Sequence, residues 1–459
     1  MKEGDTLRWL SRLSWFAGRR AEANQYGADA VTTLESLPPG PELAMAYSNL
    51  AHLDLESHEA DSAIDWAQRA ITLAEAWGND EILSHALNTL GLMRLIVGDT
   101  AGWADLERSL QLALAGGFQD EMARAYTSLA AMAVSRRQYV QAARYLAEGL
   151  AYCEEHDLDA LRLYMLAYRA RMRFEQGDWL GASEDVGAVL QHPRTTPITR
   201  IPALRTLGHL RIRRGDPDAG APLEEARALG GPIPELQRIG TLAAICAEAA
   251  WLAGDREGVL REVQPAYELA RHRSDPRMKG ELAAWLWRVN ALGQQPTDIA
   301  EPYALEISGD WQGAARAWKA LGCPYEHASV LAWYGAEPEQ REALEILEQL
   351  GAAPAAQALR RQMRESGVRG VPRGPNEATR ANPSGLTAKE LQVLQLLAQG
   401  CTSAQLARRL HRSRKTVDHH VGAILEKLGV HSRTEAVAAA FARGMISTGS
   451  HAAAPRQSE

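Results

Sequence analysis

The sequence predicts an all-α protein in which a superhelix of helical repeats is followed by a small four-helix domain. Alanine, leucine, arginine and glutamate dominate the 459 residues, and these residue types lose little conformational freedom on entering a helix. Along the first 320 residues, a glycine or a polar residue recurs at nearly regular intervals, and residues that favour helix N-termini recur after residue 386. Neither region alternates strand-like with helix-like segments, so we expect helices throughout.

Each repeat is marked by a glycine or by a polar residue in its place. The marked positions are Gly18, His58, Gly98, Arg137, Gly177, Gly215, Gly254 and Gly309. They lie 40, 40, 39, 40, 38, 39 and 55 residues apart. The pattern predicts two helices joined by a tight turn in each unit, and it resembles the tetratricopeptide repeat lengthened by about five residues. The last interval predicts an insertion within residues 270–308.

Such repeats bury their apolar faces only against their neighbours, which produces a curved superhelix with a concave surface. We expect the superhelix to occupy residues 1–365 and to receive a regulatory signal from an unidentified effector or partner protein. A peptide, a partner protein or a small molecule would fit a concave surface, and the sequence leaves these three alternatives open. Most of the 12 tryptophans lie in this region and are expected to pack between helices.

Charge is distributed unevenly along the chain. Residues 384–448 hold nine Lys/Arg against four Asp/Glu, a balance of +5, and residues 360–383 hold six against two, a balance of +4. Since the tail is neutral and the whole chain carries −7, residues 1–359 carry −16. A Pro-, Gly- and Arg-rich linker is expected at 366–383 and a disordered tail at 449–459. Only the C-terminal part therefore has the charge to meet a polyanion.

Residues 384–448 contain four N-terminal capping signals. These are the pairs Thr387–Glu390, Thr402–Gln405 and Ser432–Glu435, and the single residue Ser413. Only a short turn separates the second helix from the third, which predicts a helix-turn-helix. The predicted core is Leu391, Leu394, Leu397, Leu406, Leu410, Val417, Val421, Ile424, Leu425 and Leu428.

The stretch LTAKELQVLQLLAQGCTSAQLARRLHRSRKTVDHHVGAILEKLGVHSRTEAV resembles the C-terminal DNA-binding domain of LuxR-type transcriptional regulators. The stretch GDWQGAARAWKALGCPYEHASVLA and the linker resemble one branch of that family, the large ATP-binding LuxR regulators. Those relatives place a nucleotide-binding module ahead of a helical-repeat sensor. No G-x-x-x-x-G-K-[ST] loop occurs here, so ATP dependence is not expected. Either the module was lost or the chain is a fragment lacking it.

A helix-turn-helix places its second helix, here residues 414–428, in the major groove of duplex DNA. The candidates for base contacts are Arg414, Lys415, Asp418, His419 and Gly422. The candidates for phosphate contacts are Thr402, Ser403, Arg412, Ser413, Thr416, Lys427 and Arg433. A helix cap or a solvated charge is the structural alternative for each phosphate candidate. The consecutive histidines are expected to divide their roles, His419 facing the groove and His420 partly buried.

The resemblance implies a homodimer on DNA, and we expect its contact at Ala438 and Ala439 of the fourth helix. RNA polymerase is a further partner that the resemblance admits. An enzyme is not expected, because the chain contains neither H-E-x-x-H nor G-x-S-x-G. We expect no cofactor and no metal, and the four scattered cysteines and lack of a long apolar run predict a cytoplasmic protein without a membrane span. The alternative function is a tetratricopeptide-like scaffold with a weak or vestigial DNA-binding module.

Overall fold

The computed structural model describes residues 1–57, 60–230, 236–272, 275–372, 386–430, 432–442 and 445. These residues form 24 α-helices and no strand, which confirms the predicted all-α class. The chain divides into two compact units, Met1–Arg369 and Gly370–Glu459. The expected tail at 449–459 and most of the expected linker lie outside the described residues. No described helix is long and apolar enough to cross a membrane.

The first unit consists of twenty helices. They are α1 (Lys2–Phe16), α2 (Arg20–Glu35), α3 (Pro41–Ser57), α4 (Ala60–Trp77), α5 (Asp80–Ile96), α6 (Gly102–Gly116), α7 (Gln119–Ser135), α8 (Tyr139–Glu155), α9 (Asp159–Glu175), α10 (Trp179–Gln191), α11 (Pro197–Arg214), α12 (Ala221–Gly230), α13 (Leu236–Leu252), α14 (Arg256–Arg271), α15 (Pro276–Arg288), α16 (Tyr303–Ile307), α17 (Trp311–Ala320), α18 (Pro324–Tyr334), α19 (Glu337–Leu350) and α20 (Ala353–Glu365).

Consecutive helices pack in pairs, α1 with α2, α3 with α4, and so on to α13 with α14. The first helix of each pair also contacts the first helix of the next, from α1 through α13. These contacts form the predicted superhelix of tetratricopeptide-like repeats. The predicted insertion lies at residues 289–302, between α15 and the short α16.

The marked residue of each repeat forms the turn between the two helices of a pair. Every marked residue that the structure describes has a left-handed backbone, with φ between 57° at Arg137 and 95° at Gly98, and His58 lies outside the described residues. Glycine adopts this conformation without a steric penalty. The aspartate that often follows then caps the next helix, since Asp178 and Asp310 accept from backbone N–H groups three residues on, at 2.9 and 2.8 Å.

Turns of the superhelix also touch one another over a long sequence distance. A Cβ atom built on each of four marker glycines would lie within 4 Å of a proline in the first turn of a later helix. The glycine–proline pairs are Gly18–Pro197, Gly98–Pro276, Gly177–Pro324 and Gly215–Pro354. Helix α20 likewise contacts α11 and α13. The first unit therefore winds back on itself and encloses space along its concave side.

The second unit contains α21 (Ala388–Ala398), α22 (Ser403–Arg409), α23 (Arg414–Leu428) and α24 (Arg433–Ala442). Seven predicted core residues are buried, namely Leu394, Leu397, Leu406, Val417, Val421, Ile424 and Leu428. Leu410 and Leu425 pack against this core while partly exposed, and Leu391 is half-buried. The prediction missed four buried residues, Leu386, Val393, Ala436 and Ala440. The last two bury one side of α24, which packs against α21 and α23.

Candidate nucleic-acid interface

The turn between α22 and α23 is fixed by local interactions. Thr402 and Gln405 form a capping box, in which the Thr402 N–H donates to Gln405 Oε1 at 2.8 Å. His411 adopts a left-handed backbone with φ 49°, and Ser413 then caps α23 by accepting from the N–H of Thr416 at 3.1 Å. This geometry allows a new helix to begin five residues after Arg409. The predicted helix-turn-helix is present.

Helix α23 has one buried and one exposed face. Val417, Val421, Ile424 and Leu428 face the core of the domain. All five residues proposed for base contacts are exposed on the rest of the helix. Apolar packing therefore holds the helix from beneath and leaves its polar residues open to a ligand.

Three cations at the start of α23 are available for an anionic partner. Arg412, Arg414 and Lys415 are exposed, and the side chain of none of them forms a hydrogen bond or an ion pair with any other residue that the structure describes. A DNA phosphate or a guanine edge could approach these groups without displacing an internal partner. Their contacts with DNA remain predictions.

Asp418 has internal partners on both neighbouring helices. Its Oδ1 accepts from the hydroxyl of Ser403 at 2.9 Å and from Nη2 of Arg433 at 3.3 Å. Ser403 is only 6% exposed, so its hydroxyl serves this hydrogen bond and would reach a phosphate only after rearrangement. Asp418 therefore connects α22, α23 and α24, an arrangement that the sequence did not reveal.

Lys427 also has an internal partner. Its Nζ lies 2.7 Å from Oε2 of Glu390, which belongs to the capping box of α21. Burial acts to raise the pKa of Glu390, but Lys427 and the hydrogen bonds from Thr387 outweigh it, and the net pKa is lowered. The pair fastens the end of α23 to the start of α21. A phosphate contact by Lys427 would compete with this ion pair.

The hydroxyl candidates occupy helix N-termini. Thr402 caps α22, and Ser413 caps α23 while its Oγ lies 2.8 Å from Oγ1 of Thr416. The backbone N–H groups at a helix N-terminus favour a nearby anion. Capping and phosphate binding are thus compatible at these positions, although only the caps are visible in the structure.

The two consecutive histidines lie in different surroundings. His419 is exposed and His420 is half-buried, and their ring centroids are 6.3 Å apart with planes inclined by 49°. Across the described parts of the chain, no group of three or more His, Cys, Asp or Glu side chains could hold a metal ion. The different burial fits the division of roles predicted for the pair.

Two exposed features complete the surface of the domain. Arg408, near the end of α22, is exposed and was absent from the predicted set, although it begins the basic pair Arg408–Arg409 in the sequence.

On α24, Ala438 is exposed, Phe441 is 38% exposed and Ala439 is half-buried. Ala438 and Phe441 are three residues apart and share one helix face. Of the two alanines proposed for dimer contact, Ala438 is thus the better placed.

This fold and this exposed basic helix define a helix-turn-helix module of the kind that enters the major groove. Residues 384–440 match the family described as "Bacterial regulatory proteins, luxR family". The C-terminal domain is therefore a luxR-family helix-turn-helix domain, which confirms the resemblance found in the sequence. The match supports a DNA-binding regulatory role for this domain.

Individual relatives match over the same domain. Transcriptional regulatory protein DegU of Brevibacillus brevis is 39% identical over 61 residues, which are 13% of this chain and 26% of that protein. Response regulator protein VraR of Staphylococcus aureus (strain NCTC 8325 / PS 47) is 43% identical over 61 residues, or 13% of this chain and 29% of that protein. The chain thus spans less than a third of the length of these curated relatives.

The crystal structure of yeast Tom70 is similar over 90% of this chain and 99% of that chain, with 13% sequence identity and a TM-score of 0.22.

Proposed function

We propose that this protein is a sequence-specific DNA-binding transcriptional regulator whose helical repeats receive a regulatory signal. The observation that carries the proposal is the exposed face of α23, where Arg414, Lys415 and His419 stand above a packed apolar face. The luxR-family match over this domain supports the same conclusion.

Base reading is assigned to the exposed face of α23. Arg414 and Lys415 can donate to guanine O6 and N7, and His419 can donate to or accept from a base edge. Asp418 can accept from cytosine N4 with the oxygen that Ser403 does not occupy. Nothing lies within 4 Å of a Cβ atom built on Gly422, so DNA can approach the helix backbone there.

Phosphate contacts would fix the register of the domain without reading sequence. Arg412 and the capped N-termini at Thr402 and Ser413 are the best placed, because no internal ion pair competes with them. A homodimer on paired half-sites would bring together the exposed α24 faces of two copies, at Ala438 and Phe441. RNA polymerase is a further proposed partner, with no surface assigned to it.

The experiment for DNA binding begins with selection of sites from a pool of randomised duplexes by the full-length protein. Fluorescence anisotropy then compares the selected duplex with a scrambled one at several salt concentrations. We expect preference for the selected duplex and a steep loss of affinity with salt, about 0.9 in log–log slope for each phosphate neutralised. Arg414→Gln should weaken binding, and Arg316→Gln, at an exposed position of α17, should not.

The scaffold alternative predicts no enriched site and no steep salt dependence, and that result would refute the proposal. Deleting residues 1–360 tests the role assigned to the repeats. We expect the shortened protein to retain DNA binding while transcription no longer follows the controlling signal. A shortened protein that still responds normally would show that the repeats do not receive the signal.

A further inference from the structure

The concave side of the superhelix contains a cavity of about 550 Å³. The helices α1, α3, α5, α7 and α9 line most of it, each contributing residues from its inner face. This volume is typical of sites for small organic molecules, which combine apolar walls with a few polar groups. The cavity lies wholly within the first unit, far along the chain from the DNA-reading domain.

Two polar groups in the cavity wall lack a hydrogen-bond partner. Asn88 is fully buried, and its Oδ1 accepts from the hydroxyl of Ser128 at 2.8 Å, while its Nδ2 has no partner among the described residues. The indole N–H of Trp15 is likewise buried and unpartnered in the described part of the chain. A buried donor without an acceptor costs free energy. Both atoms lie beneath the cavity surface, so an acceptor would reach them only after the side chains move.

The inner end of the cavity carries positive charge. Arg12 reaches His85, with Nη1 at 3.3 Å from Nε2, and no carboxylate in the described residues lies within ion-pair distance of Arg12. Arg124 donates to the carbonyl oxygen of His85 at 2.9 Å and lies 3.6 Å from Glu121. At this end, Glu121 pairs with Arg124, and Arg12 has no carboxylate partner among the described residues.

His85 and His52, which lie beside these arginines, are both neutral. Burial, followed by the charges of Arg124 and Arg12, lowers the pKa of both His85 and His52 well below the ordinary value. A neutral His85 can donate from Nδ1 to Ser48, 2.6 Å away, and accept from Arg12 at Nε2. Arg12 and Arg124 are therefore the cations at this end of the cavity, with Glu121 as the carboxylate paired to Arg124, and Arg12 is left to attract an anion.

The rest of the wall is mixed, because apolar side chains line it together with four aspartates and the cations Arg136 and Arg277. Phe16, Leu92, Ile96 and Met132 line the cavity beside the polar end. A wholly ionic ligand, such as inorganic phosphate, would leave these side chains without a contact. The cavity fits a molecule that has an anionic end and an apolar body.

We propose that this cavity binds a small organic anion, with its carboxylate at Arg12 and Arg124 and its apolar body against Phe16, Leu92 and Met132. The inference rests on the proposed function in one respect, because it makes this ligand the signal that the repeats receive.

Isothermal titration calorimetry with full-length protein tests the proposal. The probe is 2-naphthoate, which has one carboxylate on two fused aromatic rings, and its neutral counterpart is 2-naphthamide. We expect 2-naphthoate to bind at one site and 2-naphthamide to bind at least about tenfold more weakly. Arg12→Gln should weaken 2-naphthoate binding by a similar factor and leave 2-naphthamide nearly unchanged. Arg316→Gln, remote from the cavity, should alter neither.

A second variant tests the cavity independently of charge. Ala131 lines the cavity and is half-buried, so Ala131→Phe should fill space and reduce the binding of both probes. Thermal unfolding by circular dichroism identifies any variant that fails to fold. Equal binding of the two probes, or 2-naphthoate binding that survives in folded Arg12→Gln and Ala131→Phe proteins, would overturn the proposal.

DNA binding is measured on the same preparations by anisotropy. DNA binding without 2-naphthoate binding would refute the cavity proposal alone. Binding of 2-naphthoate with no DNA binding would refute the proposed function and leave the cavity assignment standing.

Discussion

Asp418 has a structural role in the DNA-reading domain and is also proposed to read a base. Its hydrogen bond with Ser403 involves a charged acceptor and a buried donor, and such bonds contribute about 1.5–3 kcal/mol. Its ion pair with Arg433 is between side chains that are 45% and 50% exposed, so the pair contributes at most about 1 kcal/mol. We therefore expect Asp418→Ala to destabilise the DNA-reading domain by about 2 kcal/mol.

Asp418→Asn separates the two roles. The amide oxygen can still accept from Ser403, so the loss of stability should stay below about 1 kcal/mol, the weight of an exposed ion pair. The same variant should relax preference at one base pair, at a cost of about 1–3 kcal/mol in discrimination. Urea unfolding of residues 384–448 and anisotropy with single-base variants of the selected duplex measure these effects.

A double-mutant cycle with Ser403→Ala checks the structural half of this reasoning. The two side chains are in contact, so the cycle should give a coupling energy of at least about 0.5 kcal/mol. Strictly additive losses would refute the hydrogen bond as the source of stability. Unchanged base preference in a stable Asp418→Asn protein would remove Asp418 from the set of base-reading residues.

Four other substitutions test the same domain. Because the pKa of Glu390 is lowered in the folded protein, its contribution to the free energy of unfolding is complete above the ordinary value of 4.5 and is lost as pH falls through the folded-state pKa. Lys427→Gln should reduce this loss of stability, as measured by urea unfolding at acid pH. His420→Ala should lower the free energy of unfolding by about 1–3 kcal/mol. His419→Ala should leave the free energy of unfolding unchanged and relax the preference at one base pair. If His419→Ala instead melts early and keeps its base preference, His419 does not face the DNA groove. Ala438→Glu should weaken binding to paired half-sites but not to a single half-site, and equal effects on both would exclude an α24 contact.

The features that the sequence predicted well are those determined by residues close together in the chain. Each capping box joins residues three apart, such as Thr402 and Gln405, and the marker glycines set φ by their own lack of a side chain. The buried face of α23 follows from helical periodicity alone. These features required no knowledge of how the helices pack against one another.

The features that the sequence did not reveal depend on packing between distant residues. Lys427 meets Glu390 across 37 residues, and Ser403 meets Asp418 across 15, so neither pairing can be read from spacing. The cavity requires α1 to lie beside α3, α5 and α7, a property of the superhelix as a whole. Both the charged end and the apolar wall of the cavity are assembled from several repeats.

Contact between distant turns of the superhelix restricts how the first unit can deform. A coil whose turns are separate can change its pitch by small bends spread over many hinges. In this protein a change of pitch must also separate Gly177 from Pro324, Gly215 from Pro354, and Arg213 from Glu326, whose side chains lie 2.9 Å apart. The first unit therefore resists stretching more strongly than a coil whose turns are separate, because these contacts must break together.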